Sequence, residues 1–247
     1  MKLIRAATRF FLLLSHVLLG IAFAIIQPLL PVNSWQTLVE WWLRIIVRIL
    51  GGRVTVKGEP ARSGVLMVAN HVSWLDIPLL GGYSFVRFLS KYEVKNWPVI
   101  GWLASRAGTL YIERGKQGAA RQAAASISDS LNEGDVVLIF PEGTTSNGRD
   151  VLPFHARLFS TALEAGVPIQ PVAIRYRNAA DEVCDKVPYI DEMSLFSNLL
   201  GFLGERTLHM EIHYMTPIAV ADYQEHTRKT LAGLAEQQIR DVVIGVS

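Results

Sequence analysis

From Phe10 to Leu30 the chain is almost continuously apolar, broken by Ser15, His16, Gln27 and Pro28, with Lys2, Arg5 and Arg9 ahead of it. About 20 apolar residues are what one helix needs to cross the hydrocarbon of a bilayer. Three readings fit the run. It is just long enough for a spanning helix. It also has the basic start and small-residue site (Ala22-Phe23-Ala24) of a secretory signal, although the apolar stretch continues past that site through Ile25, Ile26, Leu29 and Leu30. The third reading is a pair of helices that dip into one leaflet and turn at Gln27-Pro28-Leu29-Leu30-Pro31. In the second helix Leu38, Trp41, Trp42, Ile45, Ile46 and Ile49 recur at helical spacing, while Arg44 and Arg48 lie four apart on another side. That is the pattern of an interfacial helix with tryptophans at headgroup depth. The alternative is that this second helix covers the core of the domain. Residues 1–50 are therefore expected to be membrane-associating helices, and residues 51–247 a separate α/β domain.

Half of the 247 residues are hydrophobic and 19% are charged, against about 25% charged in an average soluble domain. A formal charge of +2, with no long Lys/Arg run, argues against a nucleic-acid partner. The single cysteine, Cys184, excludes an internal disulfide and a cysteine-based zinc cluster, and suits a reducing compartment.

Beyond Gly51-Gly52 the pattern alternates between periods of two and 3.6. Strands are expected at RVTVKG, Val65–Ala69, VRFLS, TLYIE, Val136–Phe140, Ile169–Tyr176 and Leu208–Tyr214. Helices are expected over Pro98–Ala107, Gln117–Leu131 (closed by Gly134), Phe154–Ala165 and Tyr223 to about Val243. Residues 178–206 carry the weakest pattern and read as an insertion or lid. Such alternation predicts an α/β fold with a mostly parallel central sheet flanked by helices, preceded by the two amino-terminal helices.

Two segments can carry chemistry. The buried strand VLMVA runs into NHVSWLD, placing His71 and Asp76 just beyond the carboxyl end of a strand, where open α/β sheets bind ligands. A histidine oriented by a carboxylate on one ring nitrogen presents the other as a general base. The competing reading makes Asp76, ahead of Ile77-Pro78, a helix cap. The second segment, Pro141–Asp150 (PEGTTSNGRD), follows the strand VVLIF. Its glycines, hydroxyls and Arg149 suit an anion or a polarised carbonyl, or make an ordinary turn. Arg114, in IERG at the end of TLYIE, is a third element. A serine-nucleophile elbow, a P-loop and a dinucleotide fingerprint are all missing from the sequence. His209 and His213 lie four apart in a strand pattern, where that spacing does not converge on a metal. No metal is expected.

In order along the chain, Asn70-His71-x4-Asp76, the segment from Lys91 through Pro98 and Gly101 to Ile112-Glu113-Arg114, Phe140-Pro-Glu-Gly-Thr144, and Val167 to Val172 resemble the four blocks of the glycerolipid acyltransferase family. Bacterial members of that family include the lysophosphatidate (1-acylglycerol-3-phosphate) acyltransferases. The likeness covers roughly residues 55–180, and the family's two-helix membrane motif matches residues 1–50. It implies transfer of a fatty acyl chain from acyl-carrier protein or acyl-CoA to the free hydroxyl of a lysolipid, with no cofactor and no acyl-enzyme. It also implies work at the cytoplasmic face of the inner membrane. By the same resemblance His71 and Asp76 are catalytic, and Asn70, Lys91, Arg114, Glu142, Gly143, Thr144 and Arg149 bind substrate. Two positions depart from the lysophosphatidate pattern: Thr145 stands where Arg commonly follows FPEGT, and His155 where Lys is frequent. Lysophosphatidate is thus the leading acceptor, with lyso-ornithine lipid, whose acyltransferases this loop also resembles, as the second. A non-catalytic lipid-binding protein that keeps the fold is the reading from another class.

Overall fold

A computed structural model describes residues 1–113, 115, 117–178, 180–190, 193–221 and 227–245. Helices α1 (Lys2–Ile26) and α2 (Val32–Ile49) form an antiparallel hairpin around the Gln27–Leu29 turn. They are followed by β1 (Gly52–Lys57), β2 (Val65–Ala69), α3 (Asp76–Gly81), β3 (Arg87–Lys91), α4 (Tyr92–Lys95), α5 (Ile100–Arg106), β4 (Leu110–Ile112), α6 (Ala119–Asn132) and β5 (Val136–Ile139). The remainder is α7 (Ser160–Ala165), β6 (Ile169–Arg177), α8 (Leu195–Leu203), β7 (Leu208–Tyr214) and α9 (Arg228–Ile244).

The strands form one sheet in the order β1-β7-β6-β2-β5-β3-β4. Every pairing is parallel except β6 with β7. Helices cover both faces, and the strand pattern divides accordingly. On β2, Val65, Met67 and Ala69 enter one core with Ile46, Val47 and Leu50 of α2 and Phe202 of α8. Leu66 and Val68 enter the other, with Ile127 of α6 and Leu231 and Ile239 of α9. A strand buried on both faces needs no polar alternation, which is why VLMVA and VVLI read as unbroken apolar runs.

Three local expectations are corrected. Phe154–Ala165 is not one helix: a 3-10 turn over Ala156–Phe159 leads into α7. The weakly patterned 178–206 stretch contains α8. The last helix begins at Arg228, with side-chain and backbone bonds exchanged between Thr227 and Thr230 closing its first turn; Tyr223 lies outside the described residues.

The hairpin is locked at mid-length. His16 Nε2 bonds the Trp42 carbonyl, Trp42 Nε1 donates to the His16 carbonyl, each at 2.9 Å, and the rings stack at 5.2 Å. Gly20 permits this approach, because a Cβ there would lie 2.6 Å from the Trp42 ring. Helix α1 is long and apolar enough to cross a membrane by length and composition. Its outer face bares Leu3, Ile4, Phe11 and Leu18. The reading of α2 as a cover for the core is what the fold shows. Its inner face covers the core, as Ile46 and Val47 show, while Trp41 stays half-exposed. Arg44 does not reach outward for lipid phosphate: it donates to the Gly82 carbonyl at 2.8 Å and lies over the Tyr83 ring. Arg5 and Arg9 likewise turn inward, donating to carbonyls of Gly204 and of Leu203 and Glu205 just past α8.

Candidate active site

Strand β2 ends between β6 and β5 at the carboxyl edge of the sheet. Asn70, fully buried, carries the pairing with β6 one residue further through its side chain: Nδ2 donates to the Ile174 carbonyl (3.0 Å) and Oδ1 accepts from the Ile174 N–H (2.8 Å). The backbone then leaves the sheet at His71. The His71 N–H donates to Glu142 Oε1 at 2.7 Å, and its carbonyl accepts from Ser146 N at 2.8 Å. Its ring lies flat on Phe140, centroids 4.0 Å apart. Nδ1 meets Asp76 Oδ2 at 2.7 Å. With Nδ1–H donated to the carboxylate, Nε2 keeps its lone pair and is the nitrogen left for a substrate.

Asp76 is wholly buried. It sits in the first turn of α3, but its carboxylate caps nothing there; it reaches back, and Oδ2 also accepts from the N–H groups of Val72 (2.7 Å) and Ser73 (3.0 Å). The five-residue spacing is thus the length of loop that wraps around one carboxylate oxygen. The other oxygen, Oδ1, accepts from the Tyr176 hydroxyl at 2.5 Å. Burial, and then the Asp76 charge, hold the Tyr176 phenol well above its ordinary range, so it remains a donor. Sequence reading missed Tyr176. A signal was present, since it alternates with Val172 and Ile174 on a buried strand face, and a buried tyrosine needs a partner for its hydroxyl.

The same loop is held from the other side by residues that local pattern does not mark. Trp74 Nε1 donates to Asn198 Oδ1 of α8 at 2.9 Å, Asn198 Nδ2 donates to the Pro188 carbonyl at 2.9 Å, and Tyr189 N donates to the Val72 carbonyl at 2.9 Å. Thr145, in place of a cation, donates its hydroxyl to the Tyr189 carbonyl.

Glu142 is buried with both oxygens engaged, Oε1 by His71 N and Oε2 by Leu152 N at 3.1 Å. Burial pushes its carboxyl up to about 7, against the pull of those two backbone donors. Gly143 turns the chain at φ +72°, and Thr144 is exposed just beyond it. His71, Asp76 and Glu142 therefore form one hydrogen-bonded unit, with Asn70 anchoring the strand end beside it on Ile174, and the loop carrying Gly143 and Thr144 continues from Glu142. Lys91 and Arg149 are not part of that unit. Lys91 is exposed at the end of β3, beyond β5. Arg149 lies on the β6 side and pairs with Asp185 at 2.6 Å. Arg114 lies outside the described residues.

The arrangement supplies an oriented base, and among the described residues no serine or cysteine side chain is hydrogen-bonded to it. Ser73 Oγ is buried and unpartnered, and Ser146 Oγ accepts from Gly148 N. A hydroxyl brought by a substrate is what His71 Nε2 is placed to deprotonate.

Known proteins share this fold. The crystal structure of the 1-acyl-sn-glycerophosphate (LPA) acyltransferase PlsC from Thermotoga maritima superposes with a TM-score of 0.74 over 100% of this chain and 98% of that one, at 20% identity. The lyso-ornithine lipid O-acyltransferase of Pseudomonas aeruginosa is 45% identical over 215 residues, 86% of this chain and 80% of the relative. The 1-acyl-sn-glycerol-3-phosphate acyltransferase of Neisseria gonorrhoeae is 35% identical over 190 residues, 75% and 73% of the two chains. The Acyltransferase family model matches residues 53–175, from β1 through β6, and the chain belongs to that family of acyltransferases.

Proposed function

We propose that this acyltransferase esterifies the hydroxyl of lyso-ornithine lipid with a fatty acyl chain drawn from acyl-carrier protein or acyl-CoA, at the cytoplasmic face of a bacterial inner membrane. His71 Nε2 takes the proton of the acceptor hydroxyl as its oxygen attacks the thioester carbonyl. The tetrahedral intermediate collapses with loss of the thiolate, which leaves with the proton held by His71; a C–O bond replaces a C–S bond. Asp76 stabilises the imidazolium in between, and binding of both substrates next to His71 supplies the proximity.

The observation that carries the choice of acceptor is position 145. A phosphate monoester lodged at this loop needs a cation, since a buried phosphate without one is costly, and the residue present is Thr145, whose hydroxyl is already given to the Tyr189 carbonyl. The 45% identity to a lyso-ornithine lipid acyltransferase supports the same acceptor. Lysophosphatidate is the second reading, supported by the 35% relative and by Arg114 if that side chain meets a phosphate.

The test is an acceptor panel with full-length protein in mixed micelles: lyso-ornithine lipid, lysophosphatidate and other lysolipids, each with both thioester donors. Product from lyso-ornithine lipid at the highest kcat/KM is expected. Turnover of lysophosphatidate with none of lyso-ornithine lipid overturns the proposal.

A further inference from the structure

We infer that the open cleft beside the His71 loop, between the 141–150 loop and the segment following β6, is the headgroup subsite, and that it reads a zwitterionic amino-acid headgroup by exchanging partners across the Arg149–Asp185 pair. This rests on the acceptor reading above and extends it to residues of a segment with no sequence signature.

The cleft measures about 560 Å³ and is lined by Arg149, Asn178, Glu182, Asp185, Lys186 and Glu205, among others, a size that suits a small polar group. Asn178 places it just past the carboxyl end of β6, the strand beside β2, and Arg149 reaches it from the loop that follows β5. Its walls are tied to the catalytic loop. Gly148, at φ +71°, brings the chain so close that a Cβ would lie 3.3 Å from the Val72 methyls, next to His71. On the other wall Tyr189 N bonds the Val72 carbonyl and Thr145 bonds the Tyr189 carbonyl. Both contacts, from Gly148 and from Tyr189, fall on Val72, the residue after His71.

The Arg149–Asp185 pair offers one partner for each charge of a zwitterion. Arg149 and Asp185 meet at 2.6 Å while both are more than half exposed. Such a pair holds together only weakly in water, so a substrate carboxylate can displace Asp185 and take the planar guanidinium with two parallel bonds. Asp185, once released, faces the amine of the same headgroup. Glu182, which accepts from the neutral Asn178 amide at 3.1 Å, lies on the same rim. Glu205 is held by Lys186 and has Lys2 at 4.0 Å, so it is committed to the protein's own cations. The other acidic groups near the loop are already committed: Glu142 to two backbone N–H groups, and Asp150 to Arg240 Nε at 2.9 Å and to Val151 N.

The experiment measures KM for lyso-ornithine lipid in mixed micelles at saturating donor, with full-length wild type, Arg149→Ala, Asp185→Ala and the double swap Arg149→Asp/Asp185→Arg. Two modified acceptors are added, the carboxyl methyl ester and the N-acetylated amine. Each single variant is expected to raise KM about 10-fold, the size of one lost charge-assisted contact. The swap, which restores the ion pair of the protein, is expected not to restore KM. The methyl ester should be insensitive to Arg149→Ala, and the acetylated lipid to Asp185→Ala. Unchanged KM in both single variants, or recovery in the swap, overturns the subsite while leaving the acceptor assignment standing. Absence of wild-type turnover on lyso-ornithine lipid overturns both.

Discussion

Replacing Asp76 by Asn isolates the charge of the buried carboxylate from its shape. Oδ2 accepts three donors, His71 Nδ1 and the N–H groups of Val72 and Ser73, whereas Oδ1 meets only the Tyr176 hydroxyl. The Asn amide therefore has one sensible orientation. Its oxygen keeps the three donors, and its NH2 faces the Tyr176 oxygen, which can turn to accept. The loop and the His71 tautomer survive, and only the negative charge is lost. Two unit charges about 4 Å apart interact by roughly 4 kcal/mol at an effective dielectric of about 20. The imidazolium that forms in the transition state forfeits stabilisation of that order, which corresponds to about 10³-fold in kcat/KM. The assay is thiol release from acyl-CoA, or from acyl-carrier protein, with lysolipid in mixed micelles, run beside a thermal melt. The expected result is a folded protein with a thousandfold lower rate. A folded Asp76→Asn enzyme within about tenfold of wild type would mean that the carboxylate only shapes the loop, and the general-base argument would be refuted.

His71→Ala should lower turnover by about 10²- to 10⁴-fold without altering the melt; near-wild-type turnover in the folded variant would exclude His71 as the base. Tyr176→Phe leaves Asp76 Oδ1 buried without its donor, and should cost about 1–3 kcal/mol of stability as well as rate; an unchanged kcat would confine Tyr176 to packing. Glu142 holds its proton more tightly folded than unfolded, with its carboxyl moved from 4.5 to about 7. Its stabilising contribution is therefore complete below about pH 4.5 and is lost as pH rises through about 7. Melts of wild type from pH 5 to 8 should fall more steeply than those of Glu142→Gln, and parallel curves would contradict the burial argument. Charged substitutions on the bare face of α1, Phe11→Glu with Leu18→Glu, should weaken binding to anionic vesicles while the melt is kept. Deleting residues 1–50 should instead abolish folding, because Ile46, Val47 and Leu50 belong to the core; vesicle sedimentation and the melt check the pair.

The sequence by itself determined what repeats at short range. Short unbroken apolar runs in VLMVA and VVLI specified strands buried on both faces, and alternation in LHMEIHY specified a strand whose side chains point to opposite faces every second residue. The apolar run from Phe10 specified a helix too long and too bare for an ordinary surface. His71 and Asp76 were legible because their contact closes within one loop, five residues around a single carboxylate oxygen. What only the tertiary structure decided lies at long separation. Tyr176 reaches Asp76 across 100 residues because β6 pairs beside β2, and no spacing rule encodes which strands become neighbours. Asn198 supports Trp74 across 124 residues for the same reason. Arg5, Arg9 and Arg44 are beside apolar runs in the sequence with no partner in view; the fold brings helix-end carbonyls within their reach, and charge-assisted bonds to carbonyls sheltered from water outweigh the pull of solvent. Thr145 and Arg149 could be named but not placed, because a loop acquires its partners only when the segment after β6 closes over it. The sheet order, set by burying two apolar faces at once, is the physical step between the residues the sequence displays and the site they build.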